Sequence, residues 1–140
     1  MREILFRGKR VDNNEWVEGN YVYTPTSGHL IIPRDSFWDD YDGFCPEYQV
    51  DPDTVGQYTG QTCLHNKKPH KIFEGDIVTA SNLSMPYEIV WDDWKALFMG
   101  RNGIYVVNTL WGYSITVIGN IHDNPELCPN RRRWRNESAN

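Results

Sequence analysis

The chain has 140 residues, with 14 Lys plus Arg against 19 Asp plus Glu, a formal net charge of −5 and 39% hydrophobic residues. That length suits one soluble domain or two very small ones, and the 14% aromatic content supplies enough large rings for an ordered core rather than a disordered chain. No apolar run approaches the ~18 residues of a spanning helix, and residues 1–10 carry charges where an export signal needs an apolar segment, so a cytoplasmic protein without membrane contact is expected.

Residues 3–7 are a short β-prone run, Asp12-Asn13-Asn14 tolerates the positive φ of a tight turn, and residues 15–23 alternate with a period of two. Residues 3–23 are therefore predicted as a hairpin, and since Val17 falls out of step, a bulge at Gly19 would restore the register. Residues 24–54 carry Pro25, Pro33, Pro46 and Pro52 among many Asp, Ser and Gly residues, which predicts a loop-rich insert with one short strand at 29–32. Short strands are then expected at 55–59, 72–80, 87–91, 96–99, 104–107 and 114–121, with turns at Trp91-Asp92-Asp93-Trp94 and Gly100-Arg101-Asn102-Gly103. Gly119 suggests a bulge or close backbone approach in the last of these strands. One helical turn is expected at 124–127, capped by Asn124 with Pro125 in first position. The predicted architecture is all-β and antiparallel. It has a hairpin region with its acidic insert over residues 1–60, a small barrel or sandwich over 61–128, and a basic, disordered tail over 129–140.

Charge is unevenly spread. Residues 35–53 hold seven acids and no Lys or Arg, whereas the last ten residues hold Arg131, Arg132, Arg133 and Arg135 against Glu137 alone. So acidic a body disfavours a broad phosphate-binding surface and leaves the Arg tail as the place for nucleic acid to bind. Cys45, Cys63 and Cys128 cannot all pair within one chain and are expected to stay reduced.

Three stretches resemble one family. They are Met1-Arg2-Glu3-Ile4-Leu5-Phe6-Arg7-Gly8-Lys9-Arg10 with Trp16-Val17-Glu18-Gly19; then Thr54-Val55-Gly56-Gln57-Tyr58-Thr59-Gly60 leading to Ile72-Phe73-Glu74-Gly75-Asp76-Ile77-Val78; and finally residues 117–127. In that order they are similar to the YopX family of phage and prophage proteins, over roughly residues 1–128. The resemblance implies a mostly β protein of a bacterial host cell, with no known biochemical activity and no catalytic residues to carry over. Family members usually run through an Asp-Lys-Asn-Gly hairpin turn before the Glu-Gly-Asp-Ile motif. Here residues 61–71 are longer and lack the Asn-Gly pair. The Gly-Asp-hydrophobic entry into a strand also resembles that of SH3-like barrels, which implies a partly open barrel of that kind near residues 72–121.

Several chemistries can be weighed on the residues themselves. Cys63, His65 and His70, completed by Cys45, His122 or Cys128, lack paired knuckle spacing, so they read as exposed loop residues and no metal or other cofactor is expected. Glu74, Asp76 and His122 could serve as acid and base in a hydrolase if two strand ends converge, although surface carboxylates and a strand-end His are the commoner outcome. The rings of Trp91, Trp94 and Trp111 offer a binding surface, used for packing or self-association before base stacking because few cations stand near them. The leading expectation is an accessory protein acting by binding, as a homo-oligomer or with a host or phage protein, and not an enzyme. The alternatives are nucleic-acid binding through Arg131, Arg132, Arg133 and Arg135, and a hydrolase built on Glu74, Asp76 and His122.

Overall fold

The computed structural model describes residues 1–34, 46–81, 83–108 and 114–129. Among them are eleven strands in two antiparallel sheets and two isolated 3₁₀ turns, so the fold is all-β. No helix among the described residues is long and apolar enough to cross a membrane. The chain divides into two compact units, residues 1–58 and 59–140, with the boundary inside one strand.

In the first unit, β1 (Phe6–Lys9) and β2 (Trp16–Thr24) pair antiparallel as the predicted hairpin, from Phe6 opposite Gly19 to Lys9 opposite Trp16. Its turn uses the expected Asn residues: Asn14 takes φ 62° and donates its N–H to the Arg10 carbonyl at 2.9 Å. The Arg10 guanidinium forks onto Asp12 at 2.6 and 3.0 Å and holds that carboxyl below its ordinary value, chiefly through this hydrogen bond. The cations of Arg7 and Lys9 lie over the Trp16 ring at 4.8 and 5.4 Å. β3 (Gly28–Ile32) pairs with β2, and β4 (Tyr48–Gln49) pairs with β3. The start of β5 (Gly56–His65) pairs with β1 on the other side. Ile31 and Val50 are buried in this unit.

Two details differ from expectation. Gly19 sits in unbroken register rather than in a bulge, and what demands glycine there is crowding from β3. A Cβ built on it would meet the Ile32 carbonyl oxygen, with the Ile32 carbonyl carbon at 2.6 Å and Pro33 Cα at 2.8 Å. The insert also holds more regular structure than its prolines suggest: besides β4, Pro52–Thr54 form a 3₁₀ turn whose Asp51 side chain accepts from the Asp53 N–H at 3.0 Å. The acidic stretch at 35–45 lies outside the described residues, as does the tail from residue 130.

In the second unit, the rest of β5 runs into β6 (Lys68–Phe73), and β7 (Asp76–Ala80), β8 (Tyr87–Asp92), β9 (Leu97–Asn102), β10 (Tyr105–Val107) and β11 (Ile115–Asn120) form a five-stranded sheet. Among the described residues its order is β10-β9-β8-β7-β11, open at both edges rather than closed into a barrel. Val78, Ala80, Tyr87, Ile89 and Ile115 from its strands enclose a core with Ile72 of β6 and Cys63 of β5. Cys63 is thus a buried strand residue, not an exposed loop residue.

The linking segment 61–71 folds as a hairpin without an Asn-Gly pair, because Asn66 and Lys67 take φ 51° and 66° and close a two-residue turn of the twist-compatible kind. Lysine is strained in that left-handed region by roughly 1 kcal/mol relative to glycine. Lys67→Gly is therefore expected to stabilise the protein by about 1 kcal/mol, raising the thermal midpoint by about 3 °C in a calorimetric scan. The predicted 72–80 strand is split by a turn at Glu74-Gly75, where Gly75 takes φ 92°. β11 carries the expected irregularity, with register shifting between Val117 and Gly119. Pro125–Leu127 form the expected single turn, but the Asn124 side chain does not cap it; it accepts instead from the Asn120 N–H at 3.3 Å.

Candidate functional site

β8 and β9 are joined by a four-residue turn that follows directly from its sequence. Asp92 Oδ1 accepts from the backbone N–H of Trp94 at 2.8 Å and of Lys95 at 3.2 Å, as aspartate at the start of a turn commonly does. Ala96 closes it with φ 53° and donates its N–H to the Asp92 carbonyl at 2.8 Å. This bracing holds up Trp94, whose side chain is 98% exposed. Beside it, Trp91 of β8 stands opposite Phe98 of β9, the rings meeting edge-on at 5.0 Å and 69°. Phe98 packs against the core while Trp91 remains 43% exposed, so one aromatic pair runs from the interior to the surface.

At the other end of the same sheet, Gly103 and Ile104 form a two-residue turn into β10, an edge strand. Ile104, Tyr105 and Val106 are all exposed there. Sequence reasoning placed 104–107 as a strand but did not single these residues out. Their signal is an uncharged β-prone run with no Lys or Pro to blunt an edge. Of the residues singled out for binding, Trp91 and Trp94 thus come together at one sheet end. Trp111 and the four tail arginines, Arg131, Arg132, Arg133 and Arg135, lie outside the described residues.

The segments bearing the acid–base candidates do converge. Asn120 stands opposite Asp76, and the Ile121 N–H donates to the Gly75 carbonyl at 2.9 Å, which sets residues 74–76 beside 120–122. The chemistry seen there is turn bracing. Asp76 is 1% exposed and its Oδ2 accepts from the Phe73 N–H at 2.8 Å. Asn120 Oδ1 accepts from the backbone of His122 and Asp123 at 3.0 and 2.9 Å, so His122 enters a side-chain-stabilised turn. As for metals, among the described residues no group of three His, Cys, Asp or Glu side chains is placed to hold one. His65 and His70 approach each other on the β5–β6 hairpin, ring centroids 6.2 Å apart, whereas Cys63 is turned into the core.

The sequence matches the family model described as YopX protein over residues 5–128. The chain belongs to the YopX family. No curated protein matches it significantly. The YopX match begins at buried Leu5, just before β1, and ends at fully buried Cys128, just after the last 3₁₀ turn. Within this YopX protein the first motif is the β1–β2 hairpin, the second is the entry into β5 followed by the Gly75 turn into β7, and the third is β11 with its bulge and terminal turn. All three therefore map onto strand entries and turns. The exposed tryptophans belong to the sheet between the second and third motifs.

Proposed function

We propose that this YopX protein works by binding and self-association rather than by catalysis, as a phage- or prophage-type accessory protein in the cytoplasm of a bacterial host. The observation that carries the reading is Trp94. A tryptophan almost wholly in water, on a turn whose backbone is braced by Asp92 and Ala96, presents a large apolar surface for contact. Trp91 extends that surface toward the core, and β10 offers an uncharged strand edge for pairing with a second copy. Truncating a central tryptophan of an interface typically costs about 2 kcal/mol or more, or ~30-fold in affinity. Light scattering is expected to give the native protein a mass that is a multiple of 16.4 kDa, with Trp94→Ala falling toward 16.4 kDa at the same concentration. A native mass of 16.4 kDa at every concentration would refute the self-association.

A further inference from the structure

The ladder between β1 and β5 is described for Gly56 and Gln57 only, so among the described residues the rest of β5 has only β6 beside it, as a two-stranded ribbon. The base of this ribbon is anchored, since Cys63 and Ile72 belong to the core of the second unit. Its outer part is not: every residue from Leu64 to His70 is exposed. Residues 61–71 contain Lys67, Lys68, Lys71, His65 and His70 and no Asp or Glu. The contrast with the rest of the chain is sharp, because residues 1–58 hold eleven acids against five Lys plus Arg.

From these observations we infer that the β5–β6 ribbon is a nucleic-acid-binding arm that enters the groove of double-stranded DNA and contacts its phosphates. A groove about 12 Å wide admits a two-stranded ribbon. Lys68 and Lys71, three apart on one strand, project to opposite faces of the ribbon, and Lys67 stands at the tip. Charge on both faces suits a groove with a phosphate wall on each side better than a flat acidic protein surface. His65 and His70, with their rings 6.2 Å apart, and Asn66 add hydrogen-bonding groups near the tip.

Edge protection is the rival explanation for lysine and proline on an outer strand, and Lys68 with Pro69 would suffice for it. It does not account for Lys67, which occupies a turn position that glycine fills with less strain. That mismatch supplies a variant that separates function from folding, since Lys67→Gly relaxes the turn and removes a charge at the tip.

The experiment is fluorescence anisotropy of a labelled 25-base-pair DNA duplex titrated with full-length protein, at several salt concentrations. Parallel titrations use the variant Lys67→Gly/Lys68→Gln/Lys71→Gln and a second variant with Arg131, Arg132, Arg133 and Arg135 all changed to Gln. The native protein is expected to bind with a log–log salt slope of about −2 to −3 from the arm, since each neutralised phosphate contributes about −0.9. The arm variant is expected to lose about tenfold or more in affinity, and Lys67→Gly alone to weaken binding while raising the melting temperature. The tail variant is expected to retain the contribution of the arm. Unchanged binding by the arm variant would overturn the inference, as would binding lost only with the tail arginines. So would an arm variant whose native counterpart binds no duplex but whose self-association mass falls, which would assign the lysines to a neighbouring copy of the chain. Light scattering on Trp94→Ala reports on a different surface, so either proposal can fail without the other.

Discussion

Gly19→Ala is expected to cost at least about 3 kcal/mol of stability. The added methyl would sit 2.6 Å from the Ile32 carbonyl carbon and 2.8 Å from Pro33 Cα, separations that real Cβ atoms do not show. Relief requires moving backbone, not turning a side chain. Asn20 pairs with Ile32 in the adjoining ladder, and Ile31, fully buried, is fixed on the same strand, so β3 cannot retreat without opening the core. Overpacking of side chains costs about 1–3 kcal/mol, and a clash against backbone belongs at or beyond the top of that range. Set against the 5–15 kcal/mol of an ordinary domain, this is a large fraction of the total. Urea unfolding followed by circular dichroism should show a much lower midpoint for Gly19→Ala. Gly60→Ala is a useful contrast: it places a methyl in open space, so its effect reflects only its φ of 89°.

Asp76→Ala is expected to cost about 2–3 kcal/mol. The carboxylate is buried and accepts the Phe73 N–H, so its removal leaves a donor in the turn between β6 and β7 without that acceptor. The damage spreads, because Gly75 in the same turn accepts from Ile121 and Asp76 pairs with Asn120 at the end of β11. Asp76→Asn keeps an acceptor oxygen of nearly the same shape and is expected to recover about half of the loss. Denaturant midpoints for the two variants give the check, and equal, negligible losses for both would show that the carboxylate does not brace the turn.

The parts of the fold legible in the sequence are those whose turns need particular residues. Asp12-Asn13-Asn14 announced the first hairpin, where Asn14 takes φ 62°. Gly119 announced irregularity in the last strand. What escaped was set by tertiary contacts. β4 is two residues long and exists through its pairing with Leu30 and Ile31, which no local pattern encodes. Gly100-Arg101-Asn102-Gly103 reads as a turn, yet Gly100 is held in β9 between Ile89 and Val107, and the chain turns only at Gly103-Ile104. Gly19 was read as a bulge because alternation alone cannot show that a neighbouring strand crowds it. The β5–β6 hairpin was hidden because its turn is Asn-Lys, a weaker signal than Asn-Gly. The same holds at the site: the density of rings pointed to Trp91 and Trp94, but their different exposures depend on the Phe98 contact and on the Asp92 turn.

Amide hydrogen exchange of the native protein, compared between dilute and concentrated solution, tests the account most directly. The β8–β9 turn around Trp94 and the outer edge of β10 should exchange more slowly in the concentrated sample, while the β5–β6 tip stays unchanged. Identical exchange at both ends of the concentration series, in every strand and turn, would contradict a contact surface at Trp94.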